Sequence, residues 1–127
     1  MSNPEQNKRT AVAFYELAFN NRQPAEAVRL YVGPNYRQHN PEVGDGQEAF
    51  IGFVTGFAAR FPEKHLEVKR VIAEGDMVAL HVHAKMSPAD RGAAIIDMFR
   101  FESGKIVEHW DVIQPIPEQS ANGNTMF

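Results

Sequence analysis

The chain contains no cysteine, which excludes disulfides, thiolate nucleophiles and cysteine metal sites together and suits a reducing compartment. Nowhere does it hold about eighteen consecutive apolar residues, so no membrane span is expected. Its opening, MSNPEQNKRTAVAF, lacks the apolar centre of a secretion signal. There is no excess of basic charge either: 13 Lys and Arg stand against 16 Asp and Glu, for a formal charge of -3. A nucleic-acid partner would call for a positive surface, and the aromatic residues are not interleaved with Lys and Arg. These absences leave the expectation of a cytoplasmic protein with no nucleic-acid and no membrane partner. What is present fits one domain: 127 residues, 43% of them hydrophobic, supply one continuous core.

Between Glu5 and Asn20 the apolar residues Ala11, Phe14, Tyr15 and Ala18 recur at helical spacing, with Val12, Leu17 and Phe19 widening the stripe. A second, shorter helix starts at Pro24 and runs to about Val32, where Gly33-Pro34 stops it. Only Tyr36 to His39 then reads as extended chain before Pro41 and two glycines force a loop. That places His39 at the boundary of an element and a loop, where chemistry is often carried. The third helix is the clearest, with Asp45 as its cap, Glu48 in capping-box register and Phe61-Pro62 as its stop. Its apolar face is Phe50, Phe53, Val54, Phe57, Ala58 and Phe61. Gly52 and Gly56 weaken a helix interior and are expected where another backbone or a ligand comes close.

From His65 the period changes to two. One strand runs to Glu74-Gly75-Asp76, the next from Met77 to Lys85, and the stretch Ala94 to Gln114 reads as two long strands meeting at Ser103-Gly104. Three helices followed by four antiparallel strands argue for an α+β domain over residues 1–116, with a polar tail, 117–127, disordered or loosely draped. The last two strands hold the candidate chemistry. Alternation puts Asp97 on a face with Ile95 and Phe99, and His109 and Asp111 on a face with Val107 and Ile113. Ionisable groups on an apolar face suggest a pocket in which burial raises a carboxyl pKa toward neutrality, where it can exchange protons with a carbon acid. Arg100 points opposite to Asp97, which speaks against an Asp-Arg-Asp set for epoxide hydrolysis. His81 and His83 share a face and invite a metal with His39, Asp97 or His109 as third ligand, but a hydrogen-bonded pair on the surface or lining the pocket is the simpler reading, and no metal is expected. Trp110 faces away from Asp111 and is assigned to packing.

The order of elements, with YRQHNP at Tyr36 to Pro41, DGQEAF at Asp45 to Phe50, HVH at His81 to His83, DMFR at Asp97 to Arg100 and GKIVEHWDV at Gly104 to Val112, resembles the SnoaL-like polyketide cyclases of the NTF2-like superfamily. The resemblance implies an NTF2-like cone in which three N-terminal helices pack on a strongly curved antiparallel sheet, leaving an apolar pocket at one end. It also implies a homodimer through the outer sheet face. In the cyclases the aspartate two residues after the histidine of this last motif is the general acid/base of an aldol closure, which assigns that role to Asp111, with His109 as its partner. Where the cyclases carry another histidine this chain has Asp97, so a different substrate is implied. The expected catalytic set is Asp111, His109 and Asp97. Around the ligand stand His39, Phe53, Phe57, Phe99, Tyr15, His81 and His83. No cofactor is expected. The activity implied is that of a lyase or isomerase acting on a small apolar carbonyl compound, the alternative being a non-catalytic domain for small-ligand binding or dimerisation.

Overall fold

The computed structural model describes residues 3–127. Helix α1 (Pro4–Tyr15) opens with the Asn3 side chain accepting from the Gln6 N–H at 3.1 Å. Its last turn widens into a π-helical segment, Glu16–Asn20. There the Asn20 amide donates to the Leu66 carbonyl at 2.8 Å and accepts from the Leu66 N–H at 2.9 Å. One side chain thus satisfies both backbone groups of a strand residue and joins helix to sheet.

Helix α2 (Pro24–Tyr31) passes directly into strand β1 (Val32–Gln38); α3 (Gln47–Arg60) is followed by β2 (His65–Glu74), β3 (Met77–Lys85), β4 (Ala93–Glu102) and β5 (Lys105–Pro115). The sheet order is β1-β5-β4-β3-β2, with β1 parallel to β5 and every other pair antiparallel. The sheet therefore has five strands, one more than the hydrophobic pattern suggests. Gly33-Pro34 ends a helix and also begins an edge strand, where proline is tolerated. A Cβ at Gly33 would lie 3.1 Å from Val107 Cγ1, so glycine lets the edge close on β5. The expected α+β, NTF2-like cone is the fold found, with the helices against the concave face. Phe14, Val54, Val78, Leu80, Val82, Phe99 and Ile106 form the fully buried centre between them.

Three local expectations change. Asp45 does not cap α3; its carboxylate accepts from the Gln38 N–H at 2.7 Å, tying the loop back to β1, and Gly46 takes the cap position. Gly52 and Gly56 face open space, so neither permits a close approach. Arg100 pairs with Glu108 whereas Phe101 pairs with Ile106, a slip of one residue that makes Val107 a bulge. The bulge resets the alternation, so that Ile106, fully buried, and His109 both point to the concave side.

Residues 117–127 leave β5 and return over the outer sheet face, where the Phe127 ring stacks 4.4 Å from that of His83 and leans 5.3 Å from His81. Among the described residues no helix is long and apolar enough to cross a bilayer. Before β4, Gly92 has φ +83°, and a Cβ there would lie 2.0 Å from the Ala84 carbonyl oxygen. Gly92→Ala is expected to destabilise the fold by about 1–3 kcal/mol, read as a lower urea midpoint. An unchanged midpoint would mean that the β3–β4 junction is free to shift.

Candidate functional site

A cavity of about 360 Å3 opens between the helices and the concave face, walled by seven phenylalanines and two tyrosines. Phe53 and Phe57 enter from α3, Phe99 from β4 and Tyr15 from α1. The polar groups come from α1, the sheet and the loop after β1. On β4 and β5, Asp97 is directly opposite Asp111 and Phe99 opposite His109. Two neighbouring rows of one sheet face thereby bring both acids and the imidazole together.

The groups form a chain of hydrogen bonds. The Tyr15 hydroxyl donates to Asp97 Oδ2 at 2.6 Å, and Asp97 Oδ1 is 2.7 Å from His109 Nε2. On the other side of the ring, His109 Nδ1 is 2.7 Å from Gln38 Oε1. That oxygen also accepts from the backbone N–H groups of His39, at 3.1 Å, and Asn40, at 3.0 Å. Two main-chain donors settle which end of the Gln38 amide is the oxygen, so Nδ1 must carry a proton. Nε2 is left as the ring atom where a proton can come and go. Asp111 is held differently: the Asn40 amide donates to its Oδ1 at 3.0 Å and its Oδ2 at 2.9 Å, and His109 Nε2 stands 3.8 Å away.

Burial raises the pKa of Asp111 above the usual aspartate value; the Asn40 hydrogen bond and the His109 charge pull it down, and burial outweighs them. Burial and then the adjacent Asp97 charge push the Tyr15 hydroxyl well above its ordinary value, so it remains a proton donor. Tyr36, raised chiefly by burial, accepts from Gln38 Nε2 at 3.1 Å and so extends the chain beyond the amide. The His109 ring nitrogen and one oxygen of each acid lie within 4.8 Å of one another, a spacing that a divalent cation can span once Nε2 is free of its proton.

Three expected ligand contacts fall elsewhere. His39 lies behind the sheet: its ring stacks on Trp110 at 4.9 Å and its Nε2 pairs with Glu108 at 2.6 Å. Tyr36 and Gln38 point inward, so alternation turns His39 out. His81 and His83 also face outward, because Leu80, Val82 and Ala84 take the buried positions of β3. His81 bonds to Arg70, and His83 lies 2.9 Å from the Arg91 carbonyl oxygen. Among the described residues neither joins a set of three metal-ligating side chains. Arg100 is outside too, bonded to Glu108 at 2.8 Å. Gln38 and Asn40 went unrecognised in the sequence. Their only signal is the alternation Tyr36, Gln38, Asn40 within YRQHNP.

No curated protein matches the sequence. Among solved structures, TsrD from Streptomyces laurentii is 22% identical and superposes with a TM-score of 0.72 over 89% of this chain and 91% of that one. A proposed SnoaL-like polyketide cyclase from Jannaschia sp. CCS1 is 18% identical, with a TM-score of 0.72 over 87% of this chain and 86% of that one. A cystatin-fold protein from Novosphingobium aromaticivorans is 22% identical, with a TM-score of 0.71 over 84% of this chain and 97% of that one. At these identities the likeness is one of fold. The sequence itself is more specific, since residues 11–109 match the SnoaL-like domain, a span that runs from within α1 into β5 and ends at His109, short of Asp111. The chain belongs to the SnoaL-like domain family.

Proposed function

We propose that this protein is a cofactor-independent lyase or isomerase in which Asp111 moves a proton next to the carbonyl of a small, largely apolar substrate. One observation carries the reading: of the two facing acids on β4 and β5, Asp111 alone has no hydroxyl or imidazole within hydrogen-bond distance. Both oxygens of Asp97 are engaged by Tyr15 and His109, whereas Asp111 is held by a neutral amide on one side. Its raised pKa brings it closer to that of a carbon acid, which favours transfer. In the step, a C–H bond breaks and an O–H bond forms on Asp111, while the electron pair moves to the carbonyl oxygen. The Tyr15 hydroxyl, released from Asp97 Oδ2, or His109 Nε2–H, shared with Asp97 Oδ1, donates to that oxygen. Return of the proton to another carbon completes an isomerisation; attack of the enolate carbon on a second carbonyl, whose oxygen takes the proton back from Asp111, completes an aldol closure. Asp97 acts as a positioning residue that orients both donors.

The test is incorporation of deuterium from heavy water into a panel of 1,3-dicarbonyl compounds and α,β-unsaturated ketones. Exchange above the buffer rate is expected, and its absence across the panel would remove the reading.

A homodimer through the outer sheet face belongs to the same proposal. Val112 is 73% exposed, Ile72 66% and Ile96 42%, and Ile96 is paired with Val112 across the strands. Apolar side chains gathered on one sheet face favour burial against a second copy. Val112→Lys should shift sedimentation from dimer to monomer; a wild-type protein that sediments as a monomer at every concentration would dispose of the idea.

A further inference from the structure

The cavity lacks one kind of group. Its charged lining consists of Glu42, Asp97, Asp111 and, when protonated, His109, and among the described residues no Lys or Arg joins them. The charge of His109 is spoken for by Asp97, 2.7 Å away. Asp111 has the neutral Asn40 amide as its donor, and Glu42 adds a second negative charge in its neighbourhood. Lys64 does not supply the missing cation. It stands outside the lining, its ammonium turned to the Phe19 carbonyl, 5.7 Å from the ring centres of Phe19 and Phe57. Burial lowers its pKa to about 8. Nine aromatic rings line the wall, and π systems accept a cation on their faces.

A carboxylate or phosphate ester entering this space would face the half-buried Asp111, with the exposed Glu42 as a second, better-screened negative charge, and no Lys or Arg in the lining to offset them. A cation would meet a carboxylate field and an aromatic wall. We infer that the ligand is a cation: a flat, largely apolar carbonyl compound bearing a protonated amine, whose charge lies along the aromatic wall within the field of Asp111 and Glu42 and leaves the Asp111 oxygens to the reacting C–H. This rests on the reading that the cavity is where Asp111 meets its substrate. It adds a selection rule, in which neutral compounds are admitted, amines preferred and acids refused.

Three probes of one size test it by calorimetry at neutral pH: 2-naphthylmethylamine, 2-naphthylmethanol and 2-naphthoate. The amine is expected to bind about tenfold more tightly than the alcohol, and the naphthoate more weakly than either. Asp111→Asn should remove most of the amine's advantage and leave the alcohol's affinity unchanged, the alcohol serving as the check that the cavity still forms. Glu42→Gln, at a residue outside the buried chain of hydrogen bonds, should move the amine in the same direction by a smaller factor. An alcohol that binds as tightly as the amine, a naphthoate that binds as tightly as the alcohol, or no binding of the amine would each overturn the inference. Deuterium exchange separates it from the reading beneath it. Exchange of neutral ketones together with equal binding of amine and acid would leave Asp111 its role and remove the charge selection; amine preference without exchange would do the reverse.

Discussion

Asp111→Asn should lower deuterium exchange by about 10²–10⁴-fold, the usual contribution of a positioned base. Asparagine has nearly the same shape and can still accept from Asn40, but it cannot take up a proton. In the wild type the rate should fall on acidification at a pH above the usual aspartate range, because burial raises the pKa of the residue that must be ionised. The effect on stability has the opposite sense. A pKa higher in the folded than in the unfolded state means that protonation favours folding; this contribution is complete below the unfolded pKa and is lost as pH rises through the folded one. At neutral pH the ionised Asp111 therefore costs stability, and Asp111→Asn should melt a few degrees higher than wild type, a gain that vanishes in acid. Unchanged exchange in the variant would assign the cavity to ligand binding without Asp111 chemistry.

Asp97→Ala should be the most destabilising change at the site, by about 3–5 kcal/mol in urea unfolding. The residue is 3% exposed and faces the Tyr15 hydroxyl on one oxygen and His109 on the other. Truncation leaves two buried donors without an acceptor in an aromatic enclosure where water has few other polar partners. Tyr15→Phe removes one donor and leaves Asp97 its bond to His109, so about 1–2 kcal/mol is expected. The contrast between the two variants is informative. Equal costs would mean that Asp97 and Tyr15 form an isolated pair and that the chain through His109 to Gln38 is not mutually supporting.

How much of this was legible beforehand depends on what kind of signal each residue leaves. Asp97, His109 and Asp111 are ionic groups on long strands whose alternation can be counted through many residues, and Phe53, Phe57 and Phe99 follow from equally clear periods. Strand β1 was hidden because Gly33-Pro34 is a strong helix stop whose second use, at a sheet edge, shows only when β5 lies beside it. His39 drew attention as an imidazole, yet in so short a strand nothing fixes which residues point inward. Gln38 and Asn40 are neutral amides, unremarked in composition or charge, and their importance comes from what they touch. His81 and His83 were legible in principle, since Val78, Leu80, Val82 and Ala84 form the stronger apolar row of β3. The bulge at Val107 leaves no local mark, and it reversed the parity expected for Val107 and Ile106 while preserving that of His109.

Strand β5 follows the other four strands in the chain, yet it is an interior strand of the sheet, placed between β1 and β4. Until it emerges, β1 has no partner and β4 shows a bare edge, so the nascent chain presents unpaired backbone on both sides of a gap. Asn40 meets Asp111 across a separation of 71 residues, and both Gln38 and Asp97 wait for His109 to arrive. The polar chain of the cavity is thus assembled only when β5 has been threaded between β1 and β4, which places the burden of avoiding aggregation on the strands made before it.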